Sequence, residues 1–244
     1  MRIYEQLWGE AVTAFELGRP QVDLHLPGKT NDRRRGVSLI FRLPAEVQTR
    51  IQSFLDSLAR DLPGQYFYQQ EELHVTVVTL ISATELWRQE IGDVKAFRGI
   101  LNEVLSHHPP FQLEFRGVTA APNAVLIQGF PRDDTLEKIR SELRRIFAQR
   151  GFANRLDRRY PNSAAHVTAV RFCKADADWK RLLAILQANR QTPFGEMSVE
   201  TLQLVWGDWY ASANNLRILE EFPLPKPAPP PGSKASLPFT IDRR

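Results

Sequence analysis

The sequence predicts an α+β protein built from two related lobes. Three observations carry this. Short strand-like runs alternate with amphipathic helical segments along most of the chain. The tripeptide His-Val-Thr occurs twice, each time in a strand-like run, and each copy follows a strand-then-helix passage, so the chain reads as a diverged duplication of one α+β unit.

Residues 3–17 space Ile3, Leu7, Ala11, Ala14 and Phe15 at helical intervals, and Gly18-Arg19-Pro20 stops that helix. A polar, irregular stretch follows. Residues 37–43 (VSLIFRL) form a short apolar run, and Pro44 suits the first position of an amphipathic helix reaching about residue 60. Leu62-Pro63-Gly64 breaks the chain before residues 73–81 (LHVTVVTLI), whose β-branched density predicts a second strand. A helix over 94–107 comes next. Residues 111–118 and 124–130 flank Ala121-Pro122-Asn123 and predict an antiparallel hairpin. Asp133 and Asp134 then place carboxylates at the N-terminus of a helix reaching about residue 150. After an Arg-rich loop the pattern gives a strand at 165–172, a helix at 176–188, and strands at 198–206 and 216–222. The expected total is about seven strands and four or five helices.

Composition bounds the function. With 43% apolar and 10% aromatic residues in 244, the chain has material for a real core. Its 32 Lys and Arg against 28 Asp and Glu leave a net charge of +4, which suits an anionic partner but falls short of a protein that coats nucleic acid. Arginines concentrate at 33–35, 144–145 and 150–159, where forked guanidiniums can meet phosphate oxygens. The lone Cys173 excludes an internal disulfide and any cysteine-built zinc site, and fits a reducing cytoplasm. No stretch approaches the ~18–20 apolar residues of a membrane span, and the first 18 residues lack an uninterrupted apolar region. The expectation is a cytoplasmic protein without a membrane partner.

The chemistry resides in the repeated motif. In a strand, successive side chains alternate faces, so His74 and Thr76 share one face and His166 and Thr168 repeat the geometry. Two lobes facing each other would bring two imidazoles and two hydroxyls into one pocket. An imidazole titrates near pH ~6.5, so one ring can take a proton while the other gives one. Threonine hydroxyls can donate to phosphate oxygens as charge develops on them. No acidic cluster adjoins either motif, which favours chemistry without a metal or other cofactor.

Two His-x-Thr strands at this separation resemble the signature of the two-histidine phosphoesterase superfamily, which includes the LigT-like 2′-5′ RNA ligases and cyclic phosphodiesterases. The resemblance covers about residues 37–222. It implies a bilobal LigT-like fold of two antiparallel-rich sheets around a central groove, and metal-independent cleavage of 2′,3′-cyclic or 2′-5′-linked phosphodiesters. It further implies His74 as general acid, His166 as general base, and Thr76 and Thr168 as phosphate-binding groups. Family members often carry an arginine five residues after the second histidine, where Arg171 stands here as a phosphate contact. Strict alternation would turn Arg171 away, and a bulge would turn it back. The aromatic and glycine that relatives often show after the first motif are replaced by Thr79-Leu80-Ile81-Ser82.

Other residues draw weaker readings. Tyr160 suits a loop anchor; Trp206 and Trp209 bracket Gly207-Asp208, where one of them could line the groove, with core packing the preferred reading of Trp206. His25, His107 and His108 lack a threonine at the second following position. Cys173 reads as a buried structural thiol.

The expected organisation is an N-terminal helix and irregular extension at 1–36, a two-lobed phosphoesterase domain at 37–222, and a Pro-rich, disordered tail at 223–244. The expected function is a phosphodiesterase acting on RNA ends or on nucleotides with a cyclic phosphate. The alternatives are a noncatalytic module that binds RNA ends, and a scaffold whose Pro-rich segment binds a protein partner.

Overall fold

A computed structural model describes residues 2–157 and 163–226. Its elements are α1 (Arg2–Glu16), β1 (Arg35–Arg42), α2 (Ala45–Ala59), β2 (Tyr66–Phe67), β3 (His74–Thr84), α3 (Val94–Leu105), β4 (Phe111–Ala121), β5 (Ala124–Pro131), α4 (Thr135–Gln149), β6 (Val167–Arg171), α5 (Trp179–Ala188), β7 (Pro193–Val199), β8 (Thr201–Gly207) and β9 (Arg217–Pro223).

The strands pair antiparallel in the order β7-β4-β5-β6-β3-β1-β8-β9, with β2 beside β6. The fold is α+β. Its two halves, β7-β4-β5-β6 and β3-β1-β8-β9, each carry one motif strand at the inner end. The two sheets expected from sequence are therefore halves of one sheet, joined at the seam by a single bridged pair, Val75 with Val167.

The helices lock the halves together by crossing between them. Helix α2 follows β1 of one half yet packs on β7 of the other, and α4 follows β5 yet packs on α3 and β3. Apolar faces from both halves thus feed one continuous core, in which Val75, Val77, Val167 and Ala169 are fully buried.

Several boundaries differ from the sequence reading. The strand expected at 198–206 is two strands, β7 and β8, separated by Glu200 and lying in opposite halves. Alternation continues across the break, so periodicity alone cannot show that the chain changes partners there. Strand β7 begins at Pro193 and contains Gly195 at φ 122°, a composition that hides a strand. The two-residue β2 is too short to carry a pattern. Pro44 caps α2 from outside the helix rather than occupying its first turn.

The segment expected as an extension at 1–36 is integral. Helix α1 packs on β4 and α5 and buries Tyr4, Ala11 and Phe15, while β1 already begins at Arg35. At the other end Pro223 completes β9, and Leu224 is 4% exposed with its N–H donating to Glu200 O at 2.8 Å. The folded part therefore extends beyond residue 222. Tyr160 and the Pro-rich residues from 227 onward lie outside the described residues. Cys173 is half-buried rather than enclosed, and its thiol donates to Gly64 O at 3.1 Å. No helix among the described residues is long and apolar enough to cross a membrane.

Candidate active site

The register at the seam sets the site. Extending the Val75–Val167 pairing by one residue each way puts His74 across from Thr168 and His166 across from Thr76. The valines point into the core, so all four polar side chains share the opposite face. Directly opposed Cβ atoms in such a pair stand roughly 4.5–5.5 Å apart and diagonal ones roughly 7–8 Å. Each histidine is thus placed toward the other motif's threonine, and all four residues line one cavity.

A bulge follows each threonine. Along β1, Leu39 pairs with Val78 and Ile40 with Thr76, which leaves Val77 extra. Along β5, Val125 pairs with Val170 and Leu126 with Thr168, which leaves Ala169 extra. An extra residue reverses the alternation beyond it. The position five residues after each histidine is thereby returned to the groove face: Thr79 in β3 and Arg171 in β6. The parity objection to Arg171 is removed by the bulge at Ala169.

His74, Thr76, His166, Thr168 and Arg171 all line one cavity of about 100 Å³, together with Thr79, Tyr68 and Trp209. Neither threonine hydroxyl has a hydrogen-bond partner among the described residues, so both are available to a ligand. Trp209 reaches the groove and Trp206 instead packs against Trp87 at 5.3 Å. His25, His107 and His108 stay away from it, with His108 held to Glu142 at 2.8 Å.

The two histidines are held differently. His74 Nδ1 lies 2.6 Å from Glu72 O, and because a carbonyl only accepts, Nδ1 carries a proton. The Glu72 carboxylate in turn accepts from Tyr66 OH at 2.7 Å and from Gln69 N–H at 3.1 Å, and Lys29 lies 3.5 Å away. That network fixes the turn on which His74 leans. Burial pushes the His74 imidazole down to about 4, the charges of Arg42 and Arg171 add to the shift, and the Glu72 carbonyl and carboxylate oppose it.

His166 immediately precedes β6, and its Nδ1 is buried with no partner among the described residues. Burial again pushes the ring down to about 4, reinforced by the charges of Arg140, Arg171 and His74, and nothing opposes it. Its approach is set by Gly129, where an added Cβ would lie 2.0 Å from Ala165 O.

Arg140, on α4, is 2% exposed and ties the motif strands together. Its Nε donates to Val77 O at 3.0 Å, and its Nη2 donates to Thr76 O and Ala164 O, each at 3.0 Å. The guanidinium thus bridges β3 and the residues that lead into β6. Burial lowers its pKa to about 10, which leaves it cationic at neutral pH. Arg171 donates through Nε to Tyr68 OH at 3.1 Å, and its guanidinium lies 5.3 Å from the centre of the Trp209 ring. Trp209 is carried by a loop organised on Asp208, whose carboxylate accepts from Tyr210 N, Ser212 N and Asn215 Nδ2 at 2.9–3.0 Å.

The sequence reading missed Arg140 and Tyr68. Arg140 does leave a trace, since it interrupts the apolar stripe Leu136, Ile139, Leu143, Phe147 of α4, where a charge has no place without a partner. Among the described residues no cluster of three or more His, Cys, Asp or Glu is disposed to hold a metal.

The profile described as the 2′-5′ RNA ligase superfamily matches residues 43–209. The solved structure of TT0787 from Thermus thermophilus is similar over 78% of this chain and 97% of its own, at 18% identity and a TM-score of 0.55. E. coli LigT complexed with NADP+ is similar over 78% and 98%, at 16% identity and a TM-score of 0.53. The same protein complexed with 3′-AMP gives 15% identity and 0.51 over the same shares. At such identities the likeness is one of fold. No curated protein matches the sequence. The profile spans more than half of the chain and includes both His-Val-Thr motifs, and on that ground the chain belongs to the 2′-5′ RNA ligase superfamily.

Proposed function

We propose that the protein is a metal-independent phosphodiesterase acting on RNA ends or small nucleotides, opening 2′,3′-cyclic phosphates or cleaving 2′-5′ linkages. The observation that carries this reading is the reciprocal register at the seam, with two imidazoles and two unpartnered hydroxyls around one cavity. E. coli LigT in complex with NADP+ and with 3′-AMP supports a nucleotide as the ligand class.

The phosphate sits between the rings, its non-bridging oxygens accepting from Thr76, Thr168 and Arg171. His166, neutral and unopposed in staying so, takes a proton from the attacking water. Negative charge grows on the oxygens as phosphorus becomes five-coordinate, and the prearranged donors stabilise it without reorganising. His74 gives a proton from Nε2 to the leaving oxygen while Nδ1–H stays on Glu72 O. The bound phosphate anion raises the imidazole pKa of His74, so the acid is charged when substrate is present. A neutral pair of hydroxyls and one guanidinium offsets the phosphate charge without a metal.

Hydrolysis of an oligoribonucleotide ending in 2′,3′-cyclic phosphate, run in EDTA, tests this. Turnover by the parent that falls by about 10²–10⁴-fold in both His74→Ala and His166→Ala, with folding intact, is the expected result. A parent that binds the RNA end equally well with and without both histidines, and turns nothing over, would make it a binding module instead.

A further inference from the structure

A second, larger cavity of about 410 Å³ opens from the far side of His166. It shares His166, Thr168, Arg171 and Trp209 with the first cavity and does not reach His74. Its walls are otherwise mostly apolar. Ile3 and Leu7, one turn apart on α1, form one side, and Leu126 of β5 forms part of the other. Its size falls within the roughly 300–1,000 Å³ usual for small-molecule sites, whereas the first cavity holds little more than a phosphate.

Two polar residues, Asn123 and Ser163, break the otherwise apolar lining. Asn123, at the β4–β5 turn, is fixed by its backbone carbonyl, which accepts from Phe172 N at 3.2 Å. Asn123 lines the cavity, and its side-chain amide has no hydrogen-bond partner among the described residues. An apolar slot with a free amide donor and acceptor suits a flat heterocycle that is read along one edge. At the mouth, Trp209 and Arg171 offer the stacking surfaces that unpaired bases use. Two of the wall residues come from α1, which lies outside the residues 43–209 that the profile matches.

We propose that this cavity is a nucleobase subsite, holding the base of the nucleotide whose phosphate sits between the two histidines, with Asn123 reading the base edge and α1 closing the slot. The proposal rests on the phosphate-binding part of the reading above, but not on turnover. A ligand anchored by phosphate at Thr168 and Arg171 finds in this space, beside His166, room for a flat group. A base there makes the protein discriminate nucleotides from other phosphomonoesters and phosphodiesters.

Calorimetric binding of adenosine 3′-monophosphate, uridine 3′-monophosphate and ribose 3-phosphate to the full chain separates the outcomes. The parent binds the two nucleotides at least about tenfold more tightly than the baseless sugar phosphate. Leu7→Trp, which fills the slot, brings that ratio below about twofold while leaving ribose 3-phosphate binding unchanged. Asn123→Ala lowers the affinity for the two nucleotides by unequal factors. Should Leu7→Trp fail to fold, Ile3→Gln and Asn123→Ala carry the same comparison. Equal binding of all three ligands by the parent overturns the proposal, as does a base-dependent ratio that no slot variant alters. Base-dependent binding without turnover of either a 2′,3′-cyclic phosphate or a 2′-5′ linkage sinks the phosphodiesterase reading and leaves the subsite standing.

Discussion

The halves around β3 and β6 share a backbone plan and differ in wiring. Each presents His, Thr and then a bulge, followed by a groove-facing residue five positions after the histidine. In the β3 half, the imidazole leans on the Glu72 carbonyl and the fifth position is the neutral Thr79. In the β6 half, the imidazole Nδ1 has no acceptor behind it among the described residues, and Arg140 and Arg171 act on the ring as Arg42 and Arg171 act on His74. An acceptor stabilises an imidazolium and a neighbouring cation disfavours one. A near-symmetric scaffold can thus hold identical residues differently, His74 against an acceptor and His166 without one among the described residues.

The largest effect expected from breaking this comparison is on activity. Replacing either histidine with alanine costs about 10²–10⁴-fold in kcat, and the double variant costs little more than the worse single one, since the two act as one unit. The rate of cyclic-phosphate hydrolysis measures it.

Arg140→Met comes next. Three carbonyls lose their donor, and removal of a buried charge offsets only part of that loss. The melt should show a destabilisation of about 2–3 kcal/mol. It also removes a cation beside His166, so the acidic limb of the kcat/KM profile moves to higher pH, which a merely structural lesion would not produce.

Stability should respond to pH through both rings. Each has a folded-state pKa near 4 against 6.5 when unfolded. The unfolded chain therefore takes up protons first as pH falls, so the two histidines' contribution is complete above 6.5 and declines down to about 4. Denaturant midpoints across that window should fall with pH in the parent and fall less in His74→Gln/His166→Gln.

The smallest effect is reserved for Tyr66→Phe, which removes one donor to Glu72 while leaving the His74–Glu72 contact in place. A loss of a few-fold in kcat with little change in KM fits a supporting role, consistent with about 1 kcal/mol for one hydrogen bond.

Much of this was legible in the residues alone, and the reason is local. Pairing of His74 with Thr76 and of His166 with Thr168 on one face follows from the two-residue repeat of a strand. The helices α2 to α5 follow from apolar spacing and terminal signals such as Asp133, whose carboxylate accepts from Thr135 N at 2.8 Å. What escaped depends on distant segments meeting. Bulges at Val77 and Ala169 exist only relative to the partner strands β1 and β5, so the side to which Arg171 turns was undecidable from β6 alone. The change of halves between β7 and β8 leaves no mark on alternation. The α1 residues Ile3 and Leu7 read as core, and their place on a cavity wall depends on where β5 lies.

The most direct test of divided roles is a titration of ¹⁵N-labelled histidines by NMR, in the free protein and with adenosine 3′-monophosphate bound. His74 is expected as the Nδ1–H tautomer when neutral, with both rings titrating near 4 in the free protein and His74 taking up its proton ahead of His166 once the phosphate is present. Protonation of His166 before His74, or a proton on Nε2 of neutral His74, would contradict the assignment of acid and base.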